Sequence, residues 1–249
     1  MQGQHQGKVW RPEALCEKQF PNLTKLASDL TQSLEKFFPL IGSEKPLESA
    51  LDALSRDHRQ KVLIWGRKGV GKTTLVEEIV RQIRDCCAPP AIQFHRVIKI
   101  AFCDIKSASH QVRDDLLLEL QKMNTPFILV LSGLTSSYCH YPATLFGEQE
   151  KLIMLSENAV FDEQGLRGSL TSIGLSFPAS VEDLLKWRTK METRHSCIIS
   201  SCAFDQIRLF KAHGQTSACN DISAFLLLEG ACGLAQIDRF PGVIHASES

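Results

Sequence analysis

A glycine-rich loop, placed between an apolar run and an amphipathic run, constrains this chain more than any other feature. Residues 61–80 read KVLIWGRKGVGKTTLVEEIV, and Gly66 to Thr73 fit the pattern G-x4-G-K-[ST]. The apolar run before the loop predicts a short buried strand, and the run from Lys72 to about Arg84 predicts a helix. A strand, this loop and a helix in that order are typical of a P-loop.

The residue types of the loop suit it to hold phosphate groups. Glycines let backbone N–H groups turn inward, and the helix that begins at Lys72 adds the positive end of its dipole. Lys72 can reach the β- and γ-phosphates, and the Thr73 hydroxyl can bind Mg²⁺. We therefore predict ATP and Mg²⁺ as cofactors. The predicted phosphate-binding residues are Gly66, Lys68, Gly69, Val70, Gly71, Lys72, Thr73 and Thr74. The alternative is a glycine turn that binds nothing.

The rest of the chain predicts an α/β fold. Further strands are predicted at residues 96–103, 126–131, 151–156 and 170–177, and helices at 23–37, around Leu47 to Leu54, and at 112–123. Alternation of this kind indicates a wound parallel sheet with helices on both faces. After Pro178 only helical patterns follow, at residues 180–195, 201–213 and 221–235. We expect a loose N-terminus at residues 1–20, an α/β domain at 21–178 and a small helical subdomain at 179–249.

Composition argues against several classes of protein. The 249 residues carry 28 basic and 28 acidic side chains, so no overall field would attract nucleic acid. Apolar runs such as FILVL (127–131) are far shorter than the ~20 residues of a membrane span. Nine cysteines without a secretory signal are typical of reduced thiols. We expect a cytoplasmic protein, with the nucleus as the alternative, and neither membrane nor nucleic acid as a partner.

Hydrolysis of ATP needs more than this loop. A P-loop enzyme requires an acidic residue at the end of a neighbouring strand to hold Mg²⁺ and a group that polarises water. The strand-like run PFILVLSGL places Ser132 and Gly133 there, and neither can carry a negative charge. Asp104 is an alternative metal ligand, although a solvated loop aspartate is the commoner case. Further candidate acids are Asp114, Asp115 and Glu119, for which we favour a solvated helix face.

Several blocks of the sequence together resemble a known family. NLTKLASD (22–29) and the long stretch from FFPLIGSEKPLESALDAL to VEEIVRQI (37–83) resemble the first AAA+ module of the Clp-type disaggregases and unfoldases of the ClpB class. PASVEDLLKWRTKMETRHSCI (178–198) resembles the entry to that family's small helical subdomain. EGACGLAQID (229–238) resembles the end of its last helix before the middle domain. Residues 100–175 match only in pattern.

This resemblance implies a P-loop AAA+ fold with several functional positions. Pro39 to Gly42, including Ile41, would line the adenine pocket, and Asn158 would sense the γ-phosphate. The family's strand-end Asp-Glu pair falls on Ser132-Gly133. Its arginine fingers fall near Gly168 and Ser169, with only Arg167 adjacent, and its pore tyrosine falls near Ala108. A hexameric assembly, alone or with complete Clp-type relatives, is the implied partner, and without a second AAA+ module we expect no two-ring threading machine.

The leading hypothesis is an ATP-binding Clp-like protein of the chaperone lineage, whose ATP hydrolysis is weak or depends on oligomer partners. Whether the chain is an enzyme stays open, because the alternative is a non-hydrolysing regulatory or adaptor module. A nucleotide-gated switch of another P-loop family is disfavoured by the blocks at 178–198 and 229–238. An incomplete product of a larger reading frame is the remaining alternative.

Overall fold

A six-stranded, mostly parallel sheet organises the protein in the computed structural model. The structure describes residues 9–33, 40, 42–56, 60–134, 145–146, 149, 151–157, 169–176, 181–195, 198–201 and 243–244. The strands are β1 (Ala27–Asp29), β2 (Gln60–Trp65), β3 (Arg96–Ala101), β4 (Phe127–Leu134), β5 (Lys151–Ser156) and β6 (Ser169–Gly174). Their order across the sheet is β1-β3-β4-β5-β2-β6, and each pairing is parallel except the antiparallel contact of β1 with β3.

Helices connect most of these strands. They are α1 (Pro21–Leu26), α2 (Leu30–Ser33), α3 (Glu44–Ser55), α4 (Lys72–Arg84), α5 (Phe102–Ser107), α6 (His110–Gln121) and α7 (Val181–His195). Two further short strands, β7 (Ile198–Ile199) and β8 (Val243–Ile244), form a separate parallel pair. The α/β fold with a wound, largely parallel sheet is confirmed, and α4 spans the residues predicted for it.

Large apolar side chains on the strands bury the centre of the sheet. On one face, Leu63, Leu131 and Met154 belong to a buried cluster that also includes Leu116 and Leu120 of α6. The predicted apolar face of α3 is confirmed, because its aliphatic residues are buried: Leu47, Ala50, Leu51 and Leu54. Because the central strands are covered in this way, their carboxyl ends are fixed relative to one another.

The single helix predicted for residues 23–37 is wrong within the described residues. The chain leaves α1 after Leu26, pairs with β3 through β1 and then forms α2. Two buried polar contacts favour this path: Val97 N–H donates to Thr31 Oγ1 at 2.7 Å, and Arg96 Nη1 lies 3.0 Å from Asp29 Oδ2. Pairing with a neighbouring strand outweighs the helical spacing of the leucines, since context often overrides local preference.

The strand predicted at residues 96–103 is also too long. β3 ends at Ala101, and Phe102 begins α5. Phe102 and Ile105 are both buried in the apolar cluster that includes residues of the central strands. Tertiary packing therefore stabilises this helical turn. β4, in contrast, continues past the predicted Leu131 to Leu134.

The chain divides into two compact units. One contains residues 1–67 and 71–175, and the other contains residues 68–70 and 176–249. In the second unit, Arg188 of α7 donates through Nη2 to the Ile199 carbonyl, and Ile199 N–H donates to Glu192 at 2.9 Å. Within the part of the chain that the structure describes, no helix has the length and apolar character that crossing a membrane requires.

Candidate functional site

The P-loop leaves the carboxyl end of β2 and enters α4. Gly66 N–H donates to the carbonyl of Ser156, at the end of the neighbouring strand β5, over 3.2 Å. Gly69 has φ of 84° and Gly71 has φ of 100°. Residues that carry a Cβ rarely adopt this region of backbone conformation. A Cβ added at Gly71 would meet nothing within 4 Å, so backbone conformation rather than crowding requires glycine there. Positive φ at both glycines is the kind of backbone from which anion-binding nests are built.

Lys72 begins α4 and points back over the loop. Its ammonium donates to the Gly66 carbonyl and, at 2.9 Å, to the Arg67 carbonyl. Burial lowers the pKa of Lys72 below its usual value, and the carboxylate of Glu157 acts in the opposite direction. A half-buried cation that donates to two backbone carbonyls is well placed to exchange these contacts for phosphate oxygens.

The other predicted nucleotide-binding residues differ in accessibility. Thr73 is exposed in the first turn of α4 and Thr74 is half-buried, so the Thr73 hydroxyl is free to face a ligand from solvent. Lys68 and Gly69 are exposed, whereas Val70 is buried. Gly42 precedes α3, and its N–H donates to Glu44 at 3.3 Å. Ile41 and Asn158, predicted for the adenine pocket and the γ-phosphate, lie outside the described residues.

The end of β4 carries no acid and changes its backbone path. Ser132 donates from its hydroxyl to the Ile100 carbonyl at 3.4 Å. Between Leu131, which pairs with Met154, and Leu134, which pairs with Ser156, β4 contains one more residue than β5. Gly133 lies in this irregularity with φ of 78°. The arrangement is a β-bulge at the strand end where a P-loop enzyme places its metal-binding acid.

The alternative acids occupy different surroundings. Asp104 is exposed within α5, and Asp114 is exposed on α6. Glu119 does not lie on a solvated face as expected, since it is only 6% exposed. Its carboxylate accepts the backbone N–H groups of Asn22 and Leu23, at 3.1 and 2.8 Å, and so holds the start of α1. Glu119 is therefore a structural residue.

The positions implied for arginine fingers and pore tyrosine are described only in part. Arg167 and Gly168 lie outside the described residues, and Ser169 begins β6, where its hydroxyl bonds Gln60 at 2.6 Å. Ala108 is the C-terminal cap of α5. A cavity of about 850 Å³ lies at the opposite edge of the sheet, near Arg96 and Thr125, and contains no P-loop residue.

Sequence reasoning missed Glu157 beside the P-loop. This residue immediately follows β5, which pairs with β2 so that Ser156 stands opposite Trp65. Its carboxylate is exposed and acts electrostatically on Lys72. Its position in the sequence could have identified it. An acidic residue that directly follows a strand is a candidate site residue when that strand pairs with the P-loop strand.

These groups fit a magnesium nucleotide. The glycine conformations and the Lys72 ammonium suit phosphate oxygens, and the Thr73 hydroxyl with the Glu157 carboxylate offers the hard oxygen ligands that Mg²⁺ prefers. Ser132 and Gly133 contribute no negative charge, so any acid must come from elsewhere.

Among known proteins, Clp-type chains are similar to part of this chain. No family model matches the chain. It is 37% identical over 82 residues to the chaperone protein ClpB of Oceanobacillus iheyensis, and 32% identical over 82 residues to ClpC/MecB of Bacillus subtilis, in each case 32% of this chain and 10% of the relative. Over this stretch the chain is similar to Clp-type proteins. Its match therefore spans only about a tenth of the length of these Clp proteins.

Solved structures show the same fold over most of the chain. The Saccharomyces cerevisiae Hsp104–ADP complex superposes with a TM-score of 0.67 at 20% identity, covering 87% of this chain and 42% of that chain. The extended Hsp104–casein complex gives a TM-score of 0.66 at 20% identity, over 88% of this chain and 42% of that chain. The Clp-like chain thus shares the AAA+ fold of Hsp104 well beyond its region of clear sequence similarity.

Proposed function

We propose that this Clp-like protein binds ATP with Mg²⁺ at its P-loop and hydrolyses it weakly or only with oligomer partners. One contrast carries the proposal: Lys72 and the glycine conformations of the loop are present, while the end of β4 has Ser132 and Gly133 instead of acids. Binding and hydrolysis depend on different residues, so the first can persist without the second.

In the binding step, this chain's own groups have separate roles. Loop N–H groups and the amino end of α4 would hold the phosphates, while Lys72 would neutralise their terminal charge. The Thr73 hydroxyl, with a carboxylate near the loop, would hold Mg²⁺, which screens the phosphates and supplies Lewis-acid polarisation when bound. Gly42 and the segment before it would contact the adenine, as the resemblance implies.

A non-hydrolysing regulatory or adaptor module is the second candidate. The bulge at Gly133 favours it, since a carboxylate restored at that position would also need an unfavourable left-handed backbone. The burial of Phe102 and Ile105 also favours it, because the segment near the expected pore tyrosine is packed into the core. In this version, nucleotide would stabilise the protein so that it binds or regulates complete Clp-type relatives.

Labelled ATP titrated onto the purified protein tests the shared part of both candidates. Lys72→Ala removes a cation that would bond phosphate, so we expect ATP affinity to fall at least about tenfold. Lys25→Ala is the matched control, because it removes the same charge from an exposed site on α1. Equal affinity in wild type and Lys72→Ala would show that ATP does not use this loop.

Phosphate release at several protein concentrations separates the two candidates. Turnover per chain that rises with concentration, and disappears in Lys72→Ala, would support the oligomer-dependent ATPase. Binding without phosphate release above the Lys72→Ala level, at every concentration, would support the regulatory module. Hsp104 was solved with ADP and with casein, so a Clp-type partner and an unfolded model protein are suitable additions to both assays.

A further inference from the structure

Because β4 ends without an acidic residue, the neighbouring strand β5 is the next place where a carboxylate could lie near the P-loop. β5 lies between β4 and β2 in the sheet, so its carboxyl end stands between Ser132-Gly133 and the P-loop. Leu134 pairs with Ser156 on one side, and Trp65 pairs with Ser156 on the other. The next residue along the chain is Glu157.

The backbone fixes Glu157 close to the loop. Gly66 N–H donates to the Ser156 carbonyl at 3.2 Å, which ties the peptide before Glu157 to the first residue of the P-loop. Lys72 donates to the carbonyls of Gly66 and Arg67, so its ammonium is held over the same end of the loop. The Glu157 carboxylate is therefore attached directly after a peptide carbonyl that bonds the P-loop.

The acids considered from the sequence have other positions. Asp104 is exposed within α5, Asp114 is exposed on α6, and Glu119 is committed to the start of α1. Of these acids and Glu157, Glu157 is the one that directly follows a strand paired with β2.

We propose that Glu157 supplies the carboxylate for Mg²⁺ at the nucleotide site, in place of the acids that Ser132 and Gly133 cannot provide. The inference rests on the proposed ATP binding and makes it more specific. Carboxylate oxygens are preferred Mg²⁺ ligands, either directly or through a bound water. In the absence of the metal, the same negative charge repels the phosphates of ATP. Glu157 therefore couples nucleotide affinity to Mg²⁺.

The test is the ATP affinity of wild type and Glu157→Gln, each measured by calorimetry with excess Mg²⁺ and with EDTA. Glutamine keeps the size of the side chain and removes its charge. We expect Glu157→Gln to bind ATP about fivefold more weakly with Mg²⁺ and equally or more tightly with EDTA, because the charge attracts the metal and repels bare phosphate. Asp104→Asn tests the rival acid, and Asp114→Asn is the control for loss of an exposed carboxylate.

The metal itself gives a second readout. Because coupling is reciprocal, the affinity of Mn²⁺ for the ATP-loaded protein should fall by a similar factor in Glu157→Gln. Titration of Mn²⁺ followed by electron paramagnetic resonance measures this directly and requires no turnover.

Four other outcomes would contradict the inference, and the measurements distinguish them. If Glu157→Gln retains the wild-type affinity in both conditions, Glu157 has no role and ATP binding at the loop still stands. Equal losses with Mg²⁺ and with EDTA would indicate a steric or folding effect instead of metal binding. If Asp104→Asn alone loses the Mg²⁺ effect, the acid is Asp104. If wild type does not bind ATP, the proposed function fails and the inference fails with it.

Discussion

Gly133 shows how the backbone conformation at one position restricts which residue can stand there. It lies at the end of β4 with φ of 78°, and a Cβ built there would meet nothing within 4 Å. Space is therefore available for a side chain, and the backbone conformation is what opposes it. Ser132 lies in the same strand and bonds the Ile100 carbonyl. The end of β4 therefore differs from that of a P-loop enzyme in two ways: it lacks acidic side chains, and its backbone at Gly133 is left-handed.

Gly133→Ala should lower the free energy of unfolding by about 1–2 kcal/mol, the cost of a left-handed conformation for an L-residue. Chemical denaturation measures the change. Ser132→Ala is the matched control, and removal of its single half-exposed hydroxyl bond should cost less, about 0.5–1 kcal/mol. Wild-type stability in Gly133→Ala would mean that the bulge relaxes at no cost, and the argument from backbone conformation would be wrong.

At the scale of elements, α1 and α6 are joined by one buried carboxylate. Glu119 accepts N–H groups from Asn22 and Leu23, and the Asn22 side chain donates to it at 2.7 Å. These are charge-assisted bonds to backbone groups that a helix start leaves without an internal partner. Without this carboxylate, the backbone N–H groups of Asn22 and Leu23 would lose the acceptor that they share.

Glu119→Gln should therefore lower the free energy of unfolding by about 1.5–3 kcal/mol, the range for hydrogen bonds that involve a charged group. Asp114→Asn on the same helix removes an exposed carboxylate and should change stability by no more than about 0.5 kcal/mol. Denaturant titration of both variants measures the difference. Similar values for the two variants would show that Glu119 does not hold α1.

The elements also show what the sequence could and could not predict. Alternating apolar runs predicted β5 with its full bounds and α4 at Lys72 to Arg84, because these elements are local and their patterns are strong. β1 was missed because its pairing with β3 involves residues about 70 positions apart, which no local pattern records. Glu157 was missed for the same reason, since its importance depends on which strand stands beside β2.

At the scale of the whole molecule, ligand binding and stability are linked. Any ligand that binds the folded chain and not the unfolded chain stabilises it by mass action, whichever residues it contacts. The unit that contains β2 and α4 holds Lys72, Thr73 and Glu157, three of the residues that we assign to phosphate and metal. Nucleotide should therefore stabilise the molecule even if no phosphate is ever released, and the persistence of this effect with time reports on hydrolysis.

With Mg²⁺ present and ATP at about a hundred times its Kd, stabilisation should reach about 2.7 kcal/mol. For a chain of this size, that corresponds to an upward shift in Tm of roughly 5–11 °C. In Lys72→Ala, a tenfold loss of affinity would leave only about 1.4 kcal/mol of stabilisation, so the shift should fall to about half or less. A slowly hydrolysed ATP analogue should match ATP after any incubation if the chain does not turn ATP over. Differential scanning calorimetry after short and long incubations makes the comparison.

A shift that decays from the ATP value to the ADP value, while the analogue's shift persists, would show turnover and exclude the regulatory module. An equal shift in Lys72→Ala would place ATP away from the P-loop, because the stabilisation would then be independent of the Lys72 ammonium that lies over the loop.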